Sequence, residues 1–193
     1  MKYIILFLSL LIPFIFIGCF IPERRLYFSW NRPAEQKDIC NYEFNVDDNI
    51  DLIKTDKGML IDTHKEIYYK LGSDKPYNIE DYVYVMQEVM SFMSNNKNSI
   101  IIIEGHADII GQGNGNINFR LSERRASVIR DVILSSGFSY KRVKIFPYSD
   151  IVPKYTNNIS KNRRVDFIAL KCESELENYI KLYSNYYSNN FYK

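Results

Sequence analysis

The chain has 193 residues, 46% of them hydrophobic and 25% charged, which is a globular composition and excludes wholesale disorder. Its 25 basic and 23 acidic residues leave a formal charge of +2, so no bulk charge attracts nucleic acid and we predict no such partner. Three cysteines are too few for a disulfide-dense scaffold, and the length allows one ordinary domain with extensions.

Residues 1–18 have the layout of a secretory signal peptide. Their apolar run, Tyr3 to Ile17, is shorter than the ~20 residues that a membrane span needs. A glycine then precedes Cys19, which resembles the lipobox of bacterial lipoproteins. We therefore predict that Cys19 becomes the first residue, acylated with chains such as palmitate, and holds the protein at a membrane. The alternative is an uncleaved short anchor with an incidental cysteine.

Residues 19–62 read as a lipidated tether that leads into irregular structure. A turn is predicted at 56–58, with short strands near 50–54 and 59–62. Outside the cytoplasm Cys40 and Cys172 could form a disulfide, and two free, half-buried thiols are the alternative.

From about residue 63 the hydrophobic pattern becomes regular. Asn78 is a good N-cap for an amphipathic helix over 78–95, and the apolar run 100–103 predicts a central strand buried on both faces. Ser122 is predicted to cap a second helix that ends at Gly137. The remaining predicted elements are strands at 66–71, 142–146 and 164–170 and a final helix over 173–187.

This order, βαβαββ, predicts a two-layer α/β sandwich in which a mixed sheet carries two helices on one face. The predicted domain spans residues 63–171, and a tyrosine-rich helix follows over 172–193. We expect that helix to pack on the open face of the sheet; binding to a partner or a membrane surface is the alternative.

Two charged residues are predicted to share one end of the sheet. Asp108 follows the buried strand, where ligand loops gather in α/β folds, and Arg125 lies in the predicted first turn of the second helix. A guanidinium at a helix N-terminus favours a carboxylate, and Asp108 favours an ammonium. The pair predicts a pocket for a zwitterionic amino-acid terminus; a direct ion pair between the two side chains is the alternative.

Three motifs occur in a fixed order along the chain: Gly-His-x-Asp-x-x-Gly at 105–111, Asn-x-x-Leu-Ser-x-x-Arg-Ala at 118–126, and Asn-Arg-Arg-Val at 162–165. Together they resemble the OmpA-like peptidoglycan-binding domain, a family with the same βαβαββ order. The resemblance implies that Asp108 and Arg125 grip the diamino acid of a peptidoglycan stem peptide and that Asn118 shapes the pocket.

The same resemblance places Ala107 in the pocket, where the family usually has threonine; its backbone N–H is expected to donate in place of the missing hydroxyl. Arg163 is expected to line the rim of the pocket. Arg164, which alternation sends to the other face of its strand, is expected to be a structural ion-pair partner.

Alternation also places Glu104, His106 and Asp108 on one strand face, but a single histidine makes a metal centre a poor fit. We predict no metal, no cofactor and no catalytic residues. The predicted function is non-catalytic binding of peptidoglycan by a lipoprotein anchored in the outer membrane and facing the periplasm. The alternatives are a stator-like wall anchor of a motor and a metal-dependent wall hydrolase.

Overall fold

The computed structural model describes residues 40–110 and 115–191. The predicted signal peptide and residues 19–39 of the predicted tether, which include Cys19, lie outside these ranges. Within them, no helix is both long enough and apolar enough to cross a membrane.

The strands form one mixed sheet, with bounds β1 Asp51–Lys54, β2 Met59–Asp62, β3 Ile67–Tyr68, β4 Ile100–Gly105, β5 Val143–Pro147 and β6 Arg164–Leu170. Their spatial order is β1-β2-β6-β4-β5, and β3 also pairs with β6. β4 and β5 are parallel, whereas the other pairs are antiparallel. The predicted mixed sheet and hairpin are confirmed, but the strand predicted over 66–71 is only two residues long.

The helices are α1 Ile79–Asn95, α2 Gly115–Ser135 and α3 Glu173–Phe191. Asn78 caps α1 as predicted, because its side-chain oxygen accepts the N–H of Glu80 at 2.9 Å. α2 ends just before Gly137, whose φ of 94° is a left-handed conformation that glycine adopts without strain. The predicted start of α2 at Ser122 is wrong by seven residues, because the helix already begins at Gly115.

The two faces of β4 belong to two cores. Ile101 and Ile103 pack with side chains of α1 and α2, whereas Ile100 and Ile102 pack with Leu176 and Tyr179 of α3. Both predicted helices therefore lie on one face, and α3 covers the other, as expected. Burying each of these isoleucines contributes about 1.5–3 kcal/mol, so β4 is fixed from both sides.

Cys40 and Cys172 form a disulfide, with a Cα–Cα distance of 5.3 Å. This resolves the alternatives that the sequence leaves open. The bond ties the segment that leads into β1 to the residue just before α3, so it fixes where the N-terminal segment joins the folded domain.

β4 ends at Gly105, where the backbone of α2 passes unusually close. A Cβ added at Gly105 would lie 2.0 Å from the backbone oxygen of Ser122. Only glycine permits this approach, which brings the residues after β4 next to Arg125 on α2.

Candidate functional site

Asp108 lies just beyond the carboxyl end of β4 and is buried, with 2% of its surface exposed. Its Oδ2 accepts a hydrogen bond from Nη1 of Arg163 at 2.6 Å, and the backbone oxygen of Asp108 accepts one from Nδ2 of Asn118 at 3.0 Å. Nε of Arg163 donates to the backbone oxygen of Tyr69 at 2.8 Å. Arg163 and Asn118 therefore hold both the carboxylate and the main chain of Asp108 in place.

Arg125 lies on α2 and is completely buried. Its guanidinium donates to three backbone oxygens, those of His106 at 2.7 Å, Ser73 at 2.9 Å and Lys70 at 3.3 Å. Its Cζ also lies 4.8 Å from the ring centroid of Tyr69, a cation–π distance. Burial lowers the pKa of Arg125 to about 10, which still leaves the side chain charged at neutral pH.

The prediction that Arg125 lies in the first turn of α2 is wrong. α2 begins at Gly115, so Arg125 lies in the third turn of the helix and not in the first. Ser122 is likewise inside the helix, where its hydroxyl donates to the backbone oxygen of Phe119 at 2.7 Å and accepts the N–H of Ser149 at 3.2 Å. Any carboxylate bound at Arg125 would meet the guanidinium alone, without help from the helix dipole.

Asp108 and Arg125 do not form an ion pair with each other. Each has its own partners, and they lie at the same end of β4, because Arg125 donates to the carbonyl of His106, two residues before Asp108. The structure thus brings both predicted charges together and does not support the alternative in which they neutralise each other.

The N–H of Ala107 is not free to donate to a ligand, so the expectation that it replaces the missing hydroxyl is wrong. It already donates to the backbone oxygen of Ser149 at 2.6 Å, and Ala107 is buried. The residue therefore lies in the wall of the site, while its main chain ties the end of β4 to the loop after β5.

The loop between β3 and α1 belongs to the site, although no residue in it was predicted to do so. This loop supplies three of the four backbone oxygens that Arg125 and Arg163 use, those of Tyr69, Lys70 and Ser73. No side-chain signal marks a backbone carbonyl, because every residue carries one. The loop is fixed to the site by these contacts.

A second polar cluster lies on the α3 face of the sheet. Nζ of Lys57 lies 2.7 Å from both carboxylate oxygens of Glu104, and Oη of Tyr179 donates to Oε1 of Glu104 at 2.6 Å. Nε2 of His106 lies 3.6 Å from Oε2 of Glu104 and 3.3 Å from Oδ2 of Asp166. Asp108 is not in this cluster, so the expectation that it shares a face with Glu104 and His106 is wrong. Strand alternation stops at the end of β4, and the chain turns Asp108 toward Arg163.

Arg164 pairs with Asp166 in this cluster, with Nη2 and Nε 2.8 and 2.9 Å from Oδ2. The pairing agrees with the structural role expected for Arg164. Arg164 and Asp166 are two residues apart on β6, so strand alternation puts their side chains on the same face. This spacing could have identified Asp166 from the sequence as a partner of Arg164.

The carboxylates of this second cluster are held ionised. Burial alone would raise the pKa of Glu104, but contacts with His106 and Lys57 outweigh burial and lower it. Burial also opposes ionisation of Asp166, yet His106 and Arg164 hold its pKa far below the usual range. The cluster therefore combines two negative carboxylates with a buried imidazole.

Fold and site together define a small α/β domain with two buried side chains of opposite charge, Asp108 and Arg125, at the carboxyl end of its central strand. The OmpA family model matches residues 79–166, from the start of α1 into β6. The matched range contains all five predicted pocket residues, Ala107, Asp108, Asn118, Arg125 and Arg163.

Known proteins resemble a larger part of the chain. It is 25% identical over 176 residues to a peptidoglycan-associated lipoprotein of Buchnera aphidicola subsp. Baizongia pistaciae, a match covering 84% of this chain and 95% of that protein. Two crystal structures of the periplasmic domain of Helicobacter pylori MotB match with TM-scores of 0.52 at 19% and 17% identity. They cover 75% and 69% of this chain and 90% and 97% of those chains. At this identity the structural likeness establishes the fold alone.

Proposed function

We propose that this protein binds peptidoglycan non-covalently through the pocket formed by Asp108 and Arg125. The observation that carries the proposal is that the two opposite charges lie at one end of β4 and are held by separate partners. Such a pocket suits a ligand that presents an ammonium and a carboxylate on one small group, as the diamino acid of a stem peptide does. The similarity to a protein named peptidoglycan-associated lipoprotein supports this choice of ligand.

Both charged groups have hydrogen-bonding positions that the described residues leave unused. A carboxylate has about four acceptor positions, and Arg163 takes one of them on Asp108. A guanidinium has five N–H donors, and the three backbone oxygens account for three of them at Arg125. The ligand ammonium would join Arg163 at Asp108, and the ligand carboxylate would take donors of Arg125.

One small ligand makes few contacts, so the affinity of a single site is modest. Because peptidoglycan is a polymer and the protein is held at a surface, many weak contacts add up to firm attachment. Catalysis has no part in this proposal: the protein acts as a binding module.

Anchoring requires a second attachment, which we place at Cys19 as a lipidated residue in the outer membrane, with the folded domain in the periplasm. The Cys40–Cys172 disulfide fits an oxidising compartment outside the cytoplasm. About 20 residues separate Cys19 from Cys40, which limits the reach of the tether to about 70 Å.

The pocket assignment is tested with soluble stem peptides titrated into the full chain in mild detergent. One peptide has a free distal ammonium and carboxylate, a second is acetylated at that ammonium, and a third is amidated at that carboxylate. We expect each cap to weaken binding about 30-fold, because each removes a charge-assisted hydrogen bond of about 2 kcal/mol.

Variants then assign each cap to one residue. In Asp108→Asn the acetylation penalty should vanish while the amidation penalty remains, and Arg125→Gln should show the reverse. Asp131→Asn and Arg130→Gln, which alter an exposed ion pair elsewhere on α2, are the matched controls and should keep both penalties. Equal binding of the three peptides to the wild-type protein would overturn the proposal.

A further inference from the structure

His106 has buried nitrogens that no hydrogen bond satisfies. Its surface is 1% exposed, and among the residues that the structure describes no group is aligned to form a hydrogen bond with Nδ1 or Nε2. The ring stacks on Tyr148, with centroids 5.4 Å apart and an angle of 12° between the planes. A buried polar atom without a partner costs about 1–3 kcal/mol, so this imidazole calls for a physical reason.

Nε2 of His106 faces two carboxylates. It lies 3.3 Å from Oδ2 of Asp166 and 3.6 Å from Oε2 of Glu104, without the alignment of a hydrogen bond to either oxygen. One ligand atom from each of the three residues lies within 4.8 Å of the others. The three side chains therefore converge on one small volume.

These separations match the edges of a metal coordination sphere. Zn²⁺ binds imidazole nitrogen and carboxylate oxygen at about 2.0–2.2 Å, which puts neighbouring tetrahedral ligands about 3.3–3.6 Å apart. The two measured separations from Nε2 of His106 already fall in that range. Imidazole nitrogen and carboxylate oxygen are both among the ligand types of Zn²⁺.

Two cations now balance the carboxylates. Nζ of Lys57 contacts Glu104 and lies 4.5 Å from the ring centroid of Tyr148, and Arg164 contacts Asp166. Lys57 belongs to the turn between β1 and β2, and 12% of its side chain is exposed, so it can move into solvent without unfolding the sheet. Arg164 is buried in the strand and would stay on Asp166.

We propose that Glu104, His106 and Asp166 form a zinc-binding site that is separate from the peptidoglycan pocket. The metal takes one ligand atom from each of the three residues and displaces the Lys57 ammonium, and a water completes the tetrahedron. The metal links β4, β6 and the residue that follows β4, and one coordination position is left to water. His106 then has a partner for its buried Nε2.

The test uses the full chain in detergent, stripped of metal with a chelator and titrated with Zn²⁺ alone while bound metal is counted. We expect one zinc per chain and a rise in melting temperature. His106→Gln should weaken binding at least about 100-fold, since even the loss of an outer-shell partner costs 10–100-fold. His64→Gln is the matched control: His64 is exposed near Asp51, and its loss should leave the affinity unchanged.

Lys57→Met gives a second test in the opposite direction. Removing the displaced ammonium should tighten Zn²⁺ binding about tenfold or more, because the metal no longer competes with a charge at Glu104. This result does not depend on the stability of the His106 variant. The proposal is overturned if the wild-type protein binds no zinc, if His106→Gln binds it as tightly, or if Lys57→Met binds it less tightly.

Discussion

Replacement of Gly105 by alanine would force the central strand away from α2. The new Cβ would lie 2.0 Å from the backbone oxygen of Ser122, 2.8 Å from its carbonyl carbon and 3.3 Å from Cβ of Ala126. Normal contacts of this kind are 3.4–4 Å, so strand and helix must separate by more than 1 Å. Because the obstacle is helix backbone, no side-chain rotation relieves the clash.

The expected loss of stability is at the upper end of the range for overpacking, about 3 kcal/mol. For a chain of this size that corresponds to a melting temperature lower by about 6–12 °C. Since Asp108 follows β4 and Arg125 lies on α2, the same displacement should also weaken peptidoglycan binding. Thermal unfolding followed by near-ultraviolet circular dichroism, together with wall binding of the surviving folded protein, measures both effects.

Gly72→Ala is the control, because it adds a Cβ at a glycine without creating a clash. Gly72 has a φ of 68° with no atom within 4 Å of an added Cβ, so alanine there costs only about 1–2 kcal/mol of backbone strain. The reasoning about close approach is refuted if Gly105→Ala is no less stable than Gly72→Ala and still binds the wall normally.

Three further results are expected. Replacing both Cys40 and Cys172 by serine should cost about 2–5 kcal/mol, because the bond closes a loop of 132 residues, and reductant should lower the melting temperature of the wild type only. Burial would raise the pKa of Glu66, but hydrogen bonds from Lys154 and nearby hydroxyls outweigh burial and lower it. The ionised Glu66 therefore stabilises the fold above its unfolded pKa of about 4.3, and this stabilisation is lost as the pH falls through the lower folded pKa. In denaturation curves, Glu66→Gln should be less stable than wild type at pH 7 and equally stable near pH 2. Cys19→Ser should block acyl labelling and release the protein from membranes, and unchanged membrane partition would instead point to an uncleaved anchor.

Most of the sheet and both central helices follow from local sequence signals. The apolar run from Ile100 to Ile103 is flanked by polar residues, and its consecutive isoleucines can all be buried only if both faces of the strand are covered. β4 has this position, because it lies between two hydrophobic cores. Asn78 marked the start of α1 because an N-cap is a contact between neighbours in sequence. Such features need no knowledge of the rest of the fold.

The start of α2 could not be placed from the sequence because a serine such as Ser122 can either cap a helix or lie inside one. A serine before an apolar periodic run is typical of an N-cap, but here its hydroxyl bonds to Phe119 inside the helix and to the N–H of Ser149, 27 residues away. The residues before it contain glycine and asparagine, which disfavour a helix locally. Tertiary contacts override that preference.

In both polar clusters, some residues could be predicted from local motifs, whereas contacts between distant parts of the chain could not. Sequence motifs pointed to Asp108, to its partners Asn118 and Arg163, and to Arg125. They did not point to the partners of Arg125, because these are backbone oxygens far away in the chain. Asp166 reaches His106 only because β6 lies antiparallel beside β4, and that register is a property of the folded sheet.

The central claim is that Asp108 holds the ligand's positive group, and co-sedimentation with purified peptidoglycan sacculi tests it most directly. The full chain in mild detergent, Asp108→Asn and the control Asp131→Asn are compared after circular dichroism has established that all three are folded. We expect Asp108→Asn to bind at least about 30-fold more weakly than the other two, from the loss of about 2 kcal/mol at a charged hydrogen bond. Equal sedimentation of all three folded proteins would contradict the account.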